Sequence, residues 1–136
     1  MIPEANKKIL SNYKTIAVVG LSKNPEKDSY KVASYMQNAG YRVIPVNPGA
    51  EEILGEKAYK NLRDIPEPVD VVNIFRPLAE AGGIVDAAIS IGAKAVWMQL
   101  GIFDEAAAKK AAGAGLDVVM DWCMMTEHMR LKKWSE

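Results

Sequence analysis

A doubly wound α/β domain built on a mainly parallel five-stranded sheet is the fold class that this 136-residue sequence predicts. Two observations predict it. Five short runs rich in Val and Ile recur at spacings too long for hairpins, with helical patterns in most of the gaps between them. The runs are continuously apolar rather than alternating, which is the pattern of strands covered by helices on both faces. Right-handed crossovers follow from that arrangement.

The elements can be justified in order. A first helix, Pro3 to Leu10, precedes strand one, Thr15 to Gly20. Ser29 is placed to cap a helix through Val32, Ala33 and Met36, with Gly40 as its stop. Strand two is Arg42 to Val46. From Pro48 to Val69 the chain scatters Gly49, Gly55, Pro66 and Pro68 through mixed segments, which reads as a loop layer with a short helical turn. Strand three is Val69 to Phe75. Pro77 then sits at or just before the first turn of a helix through Ile84, Ala88 and Ile91, ending at Gly92. Strand four is Ala93 to Leu100, and Asp104 caps a helix from Glu105 to Ala112 that Gly113 and Gly115 close. Strand five is Leu116 to Met120, and a last helix from about Thr126 to Trp134 covers an edge or face.

Composition bounds the function. The length suits one domain, residues 1–136, able to bury about two thirds of its unfolded surface. Hydrophobic residues at 49% and charged residues at 25% are ordinary for a globular chain, and the formal net charge of zero gives no long-range pull on nucleic acid or anionic membrane. The N-terminus has no apolar signal core, and no run approaches the roughly 18 apolar residues of a membrane span, so a cytoplasmic protein is expected. Cys123 stands alone, which leaves no intrachain disulfide or cysteine-rich metal site and agrees with a reducing compartment.

In an open parallel sheet, ligands bind outside the carboxyl ends of the strands, near the point where strand order reverses. The strand exits are therefore the residues to read. The first keeps Gly20 for a tight turn but carries Ser22 at the second glycine position of a dinucleotide loop. A phosphate there would draw on backbone amides, the Ser22 hydroxyl and the start of the Ser29 helix, with Lys23 or Lys27 adding charge. A solvated loop with ordinary capping fits the same residues. An NAD-dependent enzyme carries an acid at the second exit, about 20 residues past the first Gly, to take the ribose 2′-hydroxyl. Here that neighbourhood holds Asn47-Pro48. The Asn47 amide can hold either a turn backbone or a polar ligand atom. Arg76, ending strand three, can meet a phosphate or carboxylate, or pair with Asp70 or Glu80. Gln99 interrupts an apolar run just before Gly101, and a buried amide there needs partners from ligand or loop.

Taken in order, these exits carry a family resemblance. Val19-Gly20-Leu21-Ser22, Gly40 through Pro48, Val69 through Val72 with Phe75-Arg76, Gly92 through Gly101, and Asp121-Trp122-Cys123 with Glu127-His128 closely resemble the small CoA-binding domain proteins of bacteria and archaea. The resemblance covers Thr15 to Leu131. That family is similar to the N-terminal CoA-binding domain of the succinyl-CoA ligase α subunit, in which CoA lies across the strand exits of a Rossmann-like sheet. It implies that Gly20, Leu21, Ser22 and the stretch Lys27 to Tyr30, including Ser29, meet the nucleotide phosphates. It also implies that Asn47 and Pro48 border the adenosine, Phe75 and Arg76 the middle of the cofactor, and Gln99 and Gly101 the pantetheine. Family members often carry a basic residue directly after the Asn-Pro pair, where this chain has Gly49-Ala50. Ligase activity is not implied, because a second domain with a phosphorylatable histidine does not fit in 136 residues.

The function expected is a stand-alone CoA or acyl-CoA binding protein with no catalysis of its own. A homodimer or an unidentified protein partner stays open. An NAD(P)-dependent oxidoreductase or other nucleotide-using enzyme is the first alternative, and a regulatory protein-interaction subunit the second. Cys123 and His128 are close enough in sequence for a nucleophile and base, but a thiolate pair needs both at hydrogen-bond distance, and a buried thiol with a structural histidine fits as well. One His and one Cys do not make a zinc site.

Overall fold

The computed structural model describes residues 2–135. Five strands form one parallel sheet: β1 (Thr15–Val19), β2 (Arg42–Val46), β5 (Val71–Ile74), β6 (Ala95–Met98) and β7 (Asp117–Met120). They lie side by side in the order β2-β1-β5-β6-β7. The chain therefore leaves β1 toward one edge and later returns to its other side, which puts the reversal of strand order between β1 and β5. The Rossmann-like α/β architecture expected from the apolar runs is the observed one.

Helices α1 (Glu4–Asn12), α2 (Asp28–Asn38) and α5 (Met124–Ser135) contribute Ile9, Leu10, Val32, Ala33, Met36 and Met124 to the core on one face of the sheet. Helices α3 (Leu78–Ser90) and α4 (Glu105–Gly113) cover the other with Val85, Ala88, Ala107 and Ala111. This two-sided cover is why the strands read as unbroken apolar runs. Pro45 is tolerated in β2 because β2 is an edge strand. Its carbonyl faces outward to the Tyr59 N–H, so the missing proline N–H costs no bond to β1.

Strands three and four are shorter than the sequence suggests. Ala93 and Phe75 lie outside the ladder because the paired segment spans only Val71–Ile74 and its partner Ala95–Met98. Ser29 does not cap α2. The helix begins one residue earlier, and the Ser29 hydroxyl instead accepts the Ser22 N–H at 2.9 Å, tying the β1 exit loop to the helix. Gly113 is the last residue of α4 rather than a stop after it, while Asp104 does cap this helix by accepting the Ala107 N–H. The last helix starts at Met124, two residues before Thr126.

The segment after Pro48 contains a two-stranded hairpin, β3 (Glu52–Ile53) and β4 (Glu56–Lys57), and then a 3-10 turn at Leu62–Asp64. The turn was expected and the hairpin was not. Its two central residues, Leu54 and Gly55, both have positive φ, at 56° and 75°, as a tight primed turn requires. Leucine at that position gives no sequence signal for one. Arg42 fixes this layer to the sheet edge through Glu56 and Glu67.

Candidate functional site

A cleft of about 780 Å³ opens at the exits of β1 and β2, beside the point where strand order reverses. That volume lies within the range usual for small-molecule sites. Its floor is the end of the two strands, Val19-Gly20 and Val46-Asn47-Pro48. One wall is α3 and the other is the 3-10 turn with the residues just before it.

Gly20 is what lets the strands and Arg76 meet at this floor. Its φ is +90°, and a Cβ there would lie 2.8 Å from Arg76 Cδ and 3.3 Å from the Phe75 backbone carbon. Its N–H is held by the Val46 carbonyl at 3.0 Å. Asn47 braces the same floor. Its amide nitrogen donates to the Leu21 carbonyl at 2.9 Å and its amide oxygen accepts the Gly49 N–H at 2.7 Å. Of the two uses open to this amide, holding loop backbone is the one observed. Arg76 leaves the β5 exit and pairs in bidentate fashion with Glu80, one turn along α3, at 3.1 and 2.8 Å. Both side chains are about half exposed, so water screens the pair, which contributes little to stability. The contact with Glu80 raises the Arg76 pKa further and lowers that of Glu80, so both are fully charged near neutrality.

The cleft gathers Gly20, Ser22, Asn47, Pro48 and Arg76 from the residues singled out in the sequence. The others stand elsewhere. Leu21 is fully buried, with its carbonyl taken by Asn47. Lys23 and Lys27 are exposed on the loop before α2, outside the cleft lining. Ser29 is buried beneath that loop. Tyr30 and Phe75 pack partly buried against the core on the α1, α2 and α5 face. Gln99 is 5% exposed, and its side-chain oxygen accepts the Met124 N–H, so it caps α5. Gly101, with φ +90°, donates its N–H to Asp121 at 2.7 Å and links the β6 and β7 exits.

The cleft also contains residues the sequence reading missed, Lys60, Asn61 and Arg63 on one wall and Ala79 and Gly83 on the other, beside Glu80, which was expected only as an ion-pair partner of Arg76. Ala79, Gly83 and Ala87 recur every four residues along α3, a spacing that puts small side chains on one helical face. That periodicity was visible in the sequence. Lys60 and Arg63 lie in a segment with no periodic pattern, and nothing local marks them.

Cys123 and His128 are not a pair. His128 Nδ1 is 2.9 Å from the Tyr35 hydroxyl, and its ring meets those of Tyr35 and Tyr41 edge-on, both at 5.5 Å between centroids. Burial among these rings, with Lys132 and Lys14 adding repulsion, lowers the His128 pKa. The folded state therefore resists protonating His128, while the unfolded chain accepts a proton near pH 6.5. Stability is expected to hold above that pH and to fall as the pH drops below it. Because His128 is the sole histidine, urea unfolding of His128→Gln between pH 5 and 7 should show a flatter pH dependence than the parent. An unchanged slope would mean that this ring is not what the acid works on.

Among the described residues no cluster of three or more His, Cys, Asp or Glu could hold a metal ion, and no helix is long and apolar enough to cross a membrane.

Residues 14–129 match the family model described as a CoA binding domain. An uncharacterized protein of Bacillus subtilis, YneT, is 41% identical over 122 residues, 90% of either chain. A solved structure of a hypothetical protein from Pyrococcus horikoshii superposes with a TM-score of 0.91 at 45% identity, covering 95% of this chain and 91% of that one. The α subunit of an ADP-forming acetate–CoA ligase from Pyrococcus furiosus is 42% identical over 67 residues, which is 48% of this chain and 15% of the subunit.

Proposed function

The chain belongs to the CoA-binding domain family, and from that premise we propose that it is a stand-alone module that binds CoA or an acyl-CoA and performs no chemistry on it. The ligand's nucleotide end occupies the cleft between α3 and the 3-10 turn, and its pantetheine arm runs along the exits of β5, β6 and β7. The observation that carries this reading is the cleft at the strand-order reversal, with Arg76 held across Gly20 at its floor. The β2 exit argues against NAD, since Asn47 stands where a carboxylate would take the ribose and its amide is already committed to backbone.

Thermal melts with CoA, acetyl-CoA, dephospho-CoA and NAD test it. A ligand at 100 times its dissociation constant adds about 2.7 kcal/mol, a rise of several degrees in a domain of this size. A rise with NAD and none with any CoA species would overturn the proposal.

Two substitutions report on the cleft. Arg76→Ala removes a cation whose ion-pair partner, Glu80, is an exposed carboxylate, so the melting temperature should hardly move. CoA binding should weaken by about 1.5–3 kcal/mol, as expected for losing a charge-assisted bond to phosphate. Calorimetric titration that finds unchanged affinity would assign Arg76 to Glu80 alone. Gly83→Leu acts in the opposite sense on stability. No heavy atom lies within 4 Å of a Cβ added at Gly83, and leucine improves a helix interior by up to about 1 kcal/mol over glycine. The variant should melt at or above the parent temperature while losing CoA, because its side chain fills the cleft. A variant that keeps full affinity would move the ligand off this wall.

A second reading, a protein-interaction subunit, is favoured by one observation. Leu100 and Phe103, after β6, are 68% and 53% exposed, and Trp122, after β7, is 38% exposed. Light scattering of the parent and of Leu100→Ser/Phe103→Ser would separate it. An oligomer that dissociates in the variant, with no nucleotide shifting either melt, would favour that reading.

A further inference from the structure

The charge of this molecule is unevenly placed. Its formal net charge is zero, yet the residues lining the cleft include three cations, Lys60, Arg63 and Arg76, against one carboxylate, Glu80. Glu80 is engaged by Arg76. The remaining two cations stand together on the opposite wall, and neither has an ion-pair partner among the described residues. Lys60 makes no side-chain hydrogen bond there, and Arg63 makes one, from Nε to the Ser90 hydroxyl at 3.2 Å. Leu62 between them is 4% exposed and locked into the core, which holds the wall in place. The two residues that directly follow Asn47-Pro48 at the cleft floor, Gly49 and Ala50, carry no charge. The positive potential on the nucleoside side of the cleft thus comes from Lys60 and Arg63.

We propose that Lys60 and Arg63 form a subsite for a phosphate monoester on the ribose, separate from the diphosphate site at Gly20 and Arg76, and that this subsite makes the chain select nucleotides carrying that phosphate. This rests on the CoA reading above and names what sets its specificity. A phosphate monoester carries a charge of about −1.5 to −2 near neutral pH, which two unpaired cations match. A guanidinium with its NH groups free can grip it in bidentate fashion, and the lysine adds a mobile point charge. Each partner is solvent-exposed, so the selection weakens as salt rises. The same ligand without its ribose phosphate would leave both cations where they are, hydrated and unpaired, and would lose only this part of the binding.

Calorimetric titration of the full chain with CoA and with dephospho-CoA tests the subsite, using the parent, Lys60→Ala, Arg63→Ala and the double variant. Both positions are exposed, and matching melting temperatures would verify that the variants fold. The parent should prefer CoA by about tenfold to a hundredfold, each single variant should lose about half of that preference on a logarithmic scale, and the double variant should bind the two ligands alike. Affinity for dephospho-CoA should stay constant throughout. Equal binding of the two ligands by the parent overturns the subsite and leaves the CoA reading standing. Parallel loss of both ligands in the variants likewise overturns it, because the cations would then serve the diphosphate. A parent that binds neither ligand overturns the subsite and the CoA reading together.

Discussion

Gly20→Ala is expected to lower the unfolding free energy by about 2–3 kcal/mol, and to weaken CoA binding beyond what that loss explains. The first part follows from backbone geometry. At φ +90° an L side chain is strained whatever space surrounds it, and here the space is also occupied, with Arg76 Cδ at 2.8 Å and the Phe75 backbone at 3.3 Å. The Arg76 side chain can swing aside, but the backbone of β5 cannot without breaking the Phe75 N–H bond to the Val19 carbonyl. A second substitution separates the two contributions. Combining Gly20→Ala with Arg76→Ala removes the collision but not the strain, so the double variant should recover roughly 1 kcal/mol and no more. Urea unfolding of the four proteins of this cycle measures it. Strict additivity would show that Arg76 yields freely, and the effect on CoA would then have to come from the backbone alone.

Asn6→Leu should cost about 2–3 kcal/mol, although the position does not line the cleft. Glu127 in α5 is fully buried, and its carboxylate is held by the Asn6 amide at 2.7 Å and by Arg130 at 3.1 Å. Asn6 is itself 2% exposed, so water does not replace it when it is removed. One oxygen of a buried carboxylate is then left without its donor, and that is the costly kind of deletion. The bond also joins the first helix to the last across 121 residues of chain, so its loss should loosen both ends of the fold. Glu127→Leu placed in the same chain should restore part of the stability, because an apolar pair needs no donor. Should Asn6→Leu melt within a degree or two of the parent, Arg130 alone satisfies the carboxylate.

Much of this was legible in the sequence. The strands announced themselves through unbroken Val and Ile runs, since an apolar segment covered on both faces has no polar alternation to show. Asp104 was legible as a cap, because its bond to Ala107 spans three residues. Glu80 was named with Asp70 as a partner for Arg76, and the structure selects Glu80, one helical turn along α3. Glu127 was not legible as a buried, satisfied charge, since its partner Asn6 lies at the other end of the chain.

The sequence by itself determined the parallel sheet, the line of strand exits, and Gly20, Asn47 and Arg76 as residues of one rim. These depend on local rules, namely apolar periodicity, the φ freedom of glycine and the direction of a strand's end. Only the tertiary structure decided how the polar groups are used. Ser29 and Gln99 became internal supports because a hydroxyl and an amide bind whichever donor the packing brings near, and here those were the Ser22 and Met124 backbones. Lys60 and Arg63 entered the cleft because the segment after the hairpin descends between β2 and α3, a path set by Leu62 in the core and the Arg42 ion pairs at the edge. A charge shows where it will act only when the chain that carries it has been packed into place.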